Sequence, residues 1–195
     1  LNEGIIVITL DNGSFEYRRK RIPKSIFDML IDFRIKSLIS MTGDKKQDFN
    51  YSTAASLHSP PMATRGAPGH FGVNTAAKGV GFIPKKEYLE EYVDHFEDLI
   101  NEALEKGDEY NEKERLEALL NFYTHKEKID TFKVGTLELF GLRSWRNYNH
   151  DPRVSILYNA PGRMTQGRPN YISFEIKAIT EIITDHDDLR WRWQC

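Results

Sequence analysis

The sequence predicts an α+β fold, mainly β, with a pair of helices inserted between strands. Short segments rich in β-branched residues and bounded by turn signals lie on both sides of the region 85–125, which instead has helical periodicity. The length of 195 residues suits one domain, and a composition of 39% hydrophobic and 29% charged residues argues against wholesale disorder. We therefore expect a single domain over 1–195.

An N-terminal hairpin is the first predicted element. Residues 4–10 (GIIVITL) form an apolar run typical of a strand, and Asp-Asn-Gly at 11–13 is a strong turn signal. The segment 14–19 is therefore expected to return as the partner strand. Pro23 follows, and because proline suits the first turn of a helix, a short helix is predicted over 24–31.

Two further strands and a turn-rich segment come next. The segments 35–41 (IKSLISM) and 49–57 (FNYSTAASL) are predicted to be strands, joined by a turn at 42–45. Residues 58–81 contain many glycines and prolines, so they are predicted to be irregular, with one strand near 70–75. Long irregular segments in compact domains are often functional, which makes this segment a secondary candidate for a site.

The region 85–125 is predicted to form a helical hairpin. Apolar residues of 85–106 lie on one helical face, acidic residues fill the opposite face, and Gly107 is a typical helix stop. Asn111 followed by Glu114 resembles a capping box and predicts the start of a second helix. The residues on the two apolar faces are Tyr88, Leu89, Tyr92, Val93, Phe96, Leu99, Ile100, Ala103, Leu116, Leu119, Leu120 and Tyr123.

Strand-like segments return after the helices. They are 131–140, 153–159 and 171–182, and the last alternates apolar and polar residues over part of its length. The tail 187–195 is compatible with two structures. Its Leu and Trp residues alternate with arginines as in a strand, whereas its first two aspartates equally suit the start of a helix.

Charge and cysteine content limit the partners and the compartment. The net charge of −2 provides no general basic field for nucleic acid or an acidic membrane. The apolar run 4–10 is too short to cross a bilayer, and no signal-peptide pattern precedes it. Cys195 has no second cysteine with which to form an internal disulfide. We therefore expect a cytoplasmic protein that binds neither nucleic acid nor a membrane.

Histidines and arginines supply further candidates. The six histidines lack the spacing and the accompanying Cys or Asp ligands of a zinc site, so no metal is expected. His58 and His70 flank the turn-rich segment, where either could donate a proton in a cleft; the alternative is a structural histidine. Arg163 and Arg168 could bind an anionic substrate or simply end a hairpin in solvent. The run 18–21 (RRKR), with the Arg/Trp tail, leaves nucleic-acid binding as an alternative.

The stretch 135–157 (GTLELFGLRSWRNYNHDPRVSIL) predicts an anion site. An apolar strand leads into a turn that carries Arg143, Ser144 and Arg146, and a second strand begins after Asp-Pro-Arg at 151–153. Guanidinium groups donate several N–H bonds to phosphate oxygens, so this cluster is suited to a phosphorylated cofactor. The alternative is a solvated connection whose arginines pair with acids elsewhere. The proline of the tripeptide ends any helix that precedes it.

Three segments resemble the pyridoxamine 5'-phosphate oxidase-like family of FMN-binding split barrels. IPKSIFDMLIDFRIKSLISMTGDKKQDFNYSTAASL resembles the opening helix and hairpin of the family. LFGLRSWRNYNHDPRVSILYNAPG is similar to its central strand, basic turn and following strand, and ISFEIKAITEII to the next barrel strand. The resemblance covers 22–57 and 131–183, and it implies a split β-barrel into which the helical hairpin 85–125 is inserted.

The resemblance also implies a function. It implies an FMN-binding protein, an oxidoreductase that acts on a small-molecule substrate, and a homodimer, because family members build the FMN site from two subunits. A non-catalytic module or sensor that binds a flavin, haem or another cofactor on the same barrel is the alternative function. FAD and a deazaflavin are the alternative flavins. No catalytic residue follows from the resemblance.

The cofactor-binding positions implied by the resemblance fall in two places. They are Arg143, Ser144 and Arg146 near the FMN phosphate, and Ser52, Thr53 and Ala54 along the isoalloxazine ring or the ribityl chain. The chain departs from the family at two points. Trp145 stands where the family has a lysine beside the phosphate-binding arginine, and the insertion 85–125 is longer than is typical.

Overall fold

The fold combines helices with antiparallel strands. The computed structural model describes residues 4–42, 56–66, 72–136, 143–161 and 171–183. Over these ranges the predicted α+β class is confirmed, and the strands form no closed barrel. The expected mainly β character is wrong, because helices hold more of the described residues than strands do.

The helices and strands are numbered here in chain order. They are β1 (Ile5–Leu10), β2 (Gly13–Arg18), α1 (Lys24–Thr42), β3 (Pro61–Arg65), β4 (Val73–Ala77), β5 (Val80–Pro84), α2 (Leu89–Lys106), α3 (Glu112–Thr124), β6 (Ile129–Thr136), α4 (Arg143–His150), β7 (Arg153–Pro161) and β8 (Tyr171–Ile179). Short 3₁₀ turns flank α2 and α3, and one helical turn occupies 56–58.

The described strands pair into three antiparallel sheets. β1 pairs with β2, and β5 pairs with β6. The largest sheet has four strands in the order β4-β3-β7-β8, so strands far apart in sequence are neighbours in it. Its register places Ile156 of β7 opposite Met62 of β3 on one side and opposite Ile176 of β8 on the other. A row of apolar side chains therefore crosses three strands on one face of this sheet.

Helix α1 is longer than the sequence predicts. The segments 24–31 and 35–41 were expected to be a helix and a strand, and both belong to one helix. Ile31 and Leu38 are both buried, and their separation of seven residues places them on one helical face. The β-branched residues of 35–41 suggested a strand, but a short apolar run does not by itself distinguish a strand from a buried helix.

Two apolar cores meet at α1. The helical core joins one side of α1 to α2 and α3, and it consists of Phe27, Ile31, Leu38, Tyr92, Phe96, Ala118, Phe122, Tyr123 and Ile129. The sheet core joins the other side to the four-stranded sheet and β5, and it consists of Leu30, Leu57, Met62, Val80, Tyr148, Val154, Ile156 and Tyr158. Each fully buried aliphatic side chain stabilises the fold by roughly 1.5–3 kcal/mol. Because α1 contributes buried aliphatic side chains to both cores, it holds the two halves together.

The predicted helical hairpin is confirmed. Helix α2 begins at Leu89, after a 3₁₀ turn, and ends at Lys106. Gly107 follows it, and its φ of 53° lies in the left-handed region that glycine tolerates. The side chain of Asn111 accepts a hydrogen bond of 3.0 Å from the Lys113 N–H, which caps α3. The apolar faces of the two helices share the core that contains Phe27, Ile31 and Leu38 of α1, and Tyr92 of α2 contacts Phe122 of α3 with ring centroids 4.9 Å apart.

Several strand predictions are corrected. The N-terminal hairpin is confirmed, but β3 lies inside the segment 58–81 that was predicted to be irregular, and β5 begins at the end of that segment. Their prolines stand at the strand ends, where a missing N–H breaks no central ladder bond. Of the predicted strand 49–57, residues 56–57 belong to a helical turn, and 49–55 lie outside the described residues. Residues 137–140 of the predicted strand 131–140 and the tail 187–195 also lie outside the described residues.

Candidate functional site

The predicted phosphate-binding residues lie on α4. The sequence predicts a turn between two strands here, whereas the structure forms a helix of eight residues between β6 and β7. The helix ends at His150, immediately before Asp151 and Pro152, as the proline predicts. The basic residues are therefore presented from the first turn of a helix.

The three predicted residues do not share one face of α4. Arg143 and Arg146 are exposed and are neighbours on the helix surface, because residues three apart face the same way. Ser144 is buried, with 5% of its surface accessible. Nη1 of Arg143 donates to the side-chain oxygen of Asn74 on β4 at 3.4 Å. The structure thus brings the two arginines together and directs the serine into the fold.

Buried polar contacts fix α4 on the sheet. Asn147 donates through Nδ2 to Oγ1 of Thr64 at 2.7 Å, and Thr64 donates to the backbone oxygen of Asn74 at 3.3 Å. One turn of the same face away from Ser144, the Tyr148 hydroxyl donates to the sulfur of Met62 at 3.2 Å. These contacts hold α4 against β3 and leave the two arginines on the exposed side of the helix.

An ion pair follows α4 directly. Both carboxylate oxygens of buried Asp151 accept hydrogen bonds from the Arg153 guanidinium, at 2.8 and 2.6 Å, and the backbone N–H of Arg153 donates at 3.1 Å. The side-chain hydrogen bond from Arg153 is the main reason that the pKa of Asp151 lies below its ordinary value. Arg153 also donates to the Tyr17 hydroxyl and stacks on Phe15, which joins the N-terminal hairpin to the sheet. We assign a structural role, rather than a binding role, to the ion pair of Asp151 and Arg153.

A second candidate site is a cleft of about 30 Å³ beside α1. Its walls come from α1, the helical turn before β3, β5, the end of α3, β6 and β7. The lining residues are Leu30, Phe33, Arg34, Ser37, Leu57, His58, Val80, Gly81, Phe82, Tyr123, Val134 and Tyr158. The cleft is thus largely apolar, with a few polar groups that converge on it. Such a composition is typical of small-molecule sites.

Arg34 is the charged group of the cleft. Its Nη2 donates to the backbone oxygen of Val80 at 3.3 Å, and its guanidinium carbon lies 5.6 Å from the centre of the Tyr123 ring. Among the residues that the structure describes, no carboxylate lines the cleft and none forms an ion pair with Arg34. The cleft therefore has a positive charge that these residues leave uncompensated.

His58 and Tyr158, which also line the cleft, are neutral near neutral pH. His58 as a whole residue is exposed, but desolvation of its ring lowers its pKa to about 4, and the charge of Arg34 acts in the same direction. Burial raises the pKa of Tyr158 to about 12, although Arg34 acts in the opposite direction. The ring of Tyr158 stacks on Phe174, with centroids 5.0 Å apart. The cleft thus combines the Arg34 guanidinium with the neutral side chains of His58 and Tyr158.

Sequence reasoning identified one cleft residue and missed the rest. His58 was a candidate proton donor, and it does line a cleft. Arg34, Tyr123 and Tyr158 were missed because they come from three different elements. One signal was present in the sequence. Arg34 shares a helix face with Leu30, Phe33 and Ser37, and an arginine on such a largely apolar face is unusual unless it has a partner or a function.

Other predicted candidates lie outside the described residues. They are Ser52, Thr53, Ala54, His70, Arg163 and Arg168. Among the described residues, no three His, Cys, Asp or Glu side chains are placed to hold a metal ion. No helix in the described ranges has the length and apolar character needed to cross a membrane. In the basic run 18–21, Arg19 and Arg21 stack on Phe132.

Comparison of the chain with family models, with curated proteins and with solved structures finds no match.

Proposed function

We propose that this protein binds FMN through the first turn of α4 and acts as an oxidoreductase on a small molecule. The observation that carries the proposal is the exposed pair Arg143 and Arg146 at the N-terminal end of α4. The first N–H groups of a helix have no partner inside the helix, and the helix dipole favours negative charge there. Two guanidinium groups beside such an end are suited to a phosphate.

In this proposal the described residues bind the phosphate of FMN, and other parts of the site bind its ring. We assign the phosphate to Arg143 and Arg146, and we assign buried Ser144 to packing. None of the residues that line the cleft beside α1 lies on α4, so we assign the isoalloxazine ring to another part of the site. The ring-binding positions 52–54 implied by the resemblance lie outside the described residues.

The split-barrel arrangement belongs to the same proposal. Support comes from the sheet core, which Val80 and Phe82 of β5 and Val134 of β6 share with Met62 and Ile156 of the four-stranded sheet. Two separate antiparallel sheets around one core are what an open barrel would require. When bound, the flavin would supply the redox chemistry, and the protein would hold it and limit the access of water.

The experiment is FMN binding by the purified protein, followed by its visible absorbance. We expect the protein to bind FMN more tightly than riboflavin, which lacks the phosphate. Replacing both Arg143 and Arg146 by Ala should weaken FMN binding about tenfold or more and bring it near that of riboflavin, because charge-assisted hydrogen bonds contribute about 1.5–3 kcal/mol each.

Arg115→Ala is the matched control, because Arg115 is an exposed arginine on α3 that pairs only with Glu112 among the described contacts. It should leave FMN binding unchanged. A colourless protein that does not bind added FMN contradicts the proposal. FMN binding without turnover of any electron donor supports the non-catalytic alternative, a flavin-binding sensor.

A further inference from the structure

The cleft beside α1 has features of a binding site that the flavin proposal does not use. None of its lining residues lies on α4, and neither Arg143 nor Arg146 contributes to it. A ligand in this cleft therefore depends on none of the residues assigned to FMN. On the scale where roughly 10–15 Å³ admits one water molecule, 30 Å³ admits a group of a few heavy atoms.

Arg34 determines which charge the cleft accepts. A half-buried guanidinium is costly unless it is paired, and the described residues offer Arg34 one backbone oxygen and one aromatic face. A guanidinium has five N–H donors, so the backbone contact leaves several for a ligand. The natural complement is an oxyanion, and a planar carboxylate matches the guanidinium fork.

Several polar side chains line the cleft together with Arg34. The residues Tyr123, Tyr158, His58 and Ser37 line the cleft with it and bring hydroxyl and imidazole groups. Thr136 lies nearby: it pairs with Val80 in the β5–β6 ladder, and its buried hydroxyl has no hydrogen-bond partner among the described residues. Such groups can donate to an anion, and no carboxylate of the described chain lines the cleft.

The remaining walls restrict the body of the ligand. Seven lining residues are apolar or glycine: Leu30, Phe33, Leu57, Val80, Gly81, Phe82 and Val134. Apolar walls favour a ligand whose body is apolar and disfavour inorganic phosphate, which requires polar contacts on every side. The single cation also matches one negative charge better than two.

We propose that this cleft binds the carboxylate of a small organic monoacid with an apolar body, with Arg34 as its counter-ion. The carboxylate meets the guanidinium, the tyrosine hydroxyls donate to it, and the apolar body lies against Phe33, Leu57 and Phe82. The proposal concerns binding and assigns no chemical step.

The test is calorimetric titration of the full chain with butyrate, butyramide and inorganic phosphate. We expect butyrate to bind, and butyramide and phosphate to bind at least about tenfold more weakly, because they lack the charge or the apolar body. Arg34→Gln should weaken butyrate binding at least about tenfold. Lys36→Gln, two residues away on the exposed face of α1, should leave it unchanged. Equal binding of butyrate and butyramide, or unchanged binding by Arg34→Gln, overturns the proposal.

A second variant tests the cleft without removing a charge. A Cβ at Gly81 would lie 3.5 Å from the Tyr123 hydroxyl, so Gly81→Val fills the cleft and should abolish butyrate binding. Gly79→Val is its control, because nothing lies within 4 Å of a Cβ there. Circular dichroism should show every variant folded. Butyrate binding that survives Gly81→Val, or that is lost in the Arg143/Arg146 double variant, overturns the assignment to this cleft.

Discussion

At the residue level, the charge of Asp151 is paired within the chain, whereas no described carboxylate pairs with the charge of Arg34. Asp151 is 2% exposed, and its two oxygens accept three hydrogen bonds from Arg153, so its charge is compensated inside the chain. Arg34 has no such counter-ion among the described residues. A compensated charge fixes structure, whereas an uncompensated one in a cleft is suited to binding. We therefore expect the two residues to respond differently to substitution.

Asp151→Asn should lower the free energy of unfolding at pH 7 by about 1.5–3 kcal/mol, the range for hydrogen bonds to charged groups. The pKa of Asp151 lies below 3.8 in the folded chain, so its contribution is present above pH 3.8 and is lost as the pH falls through the folded pKa. The variant should thus lose less stability on acidification than the wild type. Urea unfolding at several pH values measures both effects.

Asp94→Asn is the control for this charge removal. Asp94 is an exposed carboxylate on α2, and changes at exposed positions usually alter stability by no more than about 0.5 kcal/mol. If Asp151→Asn and Asp94→Asn unfold at the same urea concentration at pH 7, the structural role given to Asp151 is wrong.

At the level of elements, α1 is the component on which the fold depends most. It contributes Phe27, Ile31 and Leu38 to the helical core and Leu30 to the sheet core. A helix packed on both sides needs apolar residues on more than one face, which explains why its sequence has no simple amphipathic pattern. The same feature made 35–41 resemble a strand.

Ile31→Ala should destabilise the protein by about 2–5 kcal/mol, because it removes buried methyl groups and leaves a cavity. Ile31 is fully buried, whereas Ile39 on the same helix is 41% exposed. Ile39→Ala should therefore change the free energy of unfolding by less than about 0.5 kcal/mol.

Urea unfolding of both variants provides the comparison, with the wild type as reference. Equal effects of the two substitutions would show that Ile31 does not lie between the packed elements, and the placement of α1 would be wrong.

At the level of the whole molecule, the four-stranded sheet has one packed face and one open face. The packed face meets α1 and α4, and the opposite face exposes Val73, Leu157 and Tyr171. Exposed apolar residues on a sheet face are suited to contact with another surface. We propose that the homodimer implied by the resemblance buries this face against a second copy of the chain.

The dimer is checked by light scattering after gel filtration. We expect a mass of about twice the 22.7 kDa of one chain. Leu157→Lys should shift the protein toward the monomer, because it places a charge on the open face. Glu175 of β8 lies opposite position 157 and can pair with the lysine within the same chain.

Leu104→Lys is the matched control, because Leu104 is 75% exposed on α2, away from the sheet. It should leave the mass unchanged. A monomeric wild type, or a dimer that Leu157→Lys does not weaken, contradicts the use of this face.

The candidate sites show why sequence reasoning reached some residues and not others. Arg143 and Arg146 could be identified because they are close in sequence and share one residue type. Arg34, Tyr123 and Tyr158 lie on α1, α3 and β7, and only packing brings them to one cleft. No short segment contains a signal for such a site.

The sequence by itself determined the local elements whose patterns are self-contained. The N-terminal hairpin follows from its Asp-Asn-Gly turn, the helical pair from apolar periodicity with Gly107 and Asn111 at its ends, and the end of α4 from Pro152. Tertiary structure decided the state of 35–41, the strands β3 and β5, and the burial of Ser144 away from its arginines. The physical reason is that turns and caps act within a few residues, whereas the burial of short apolar segments depends on partners far along the chain.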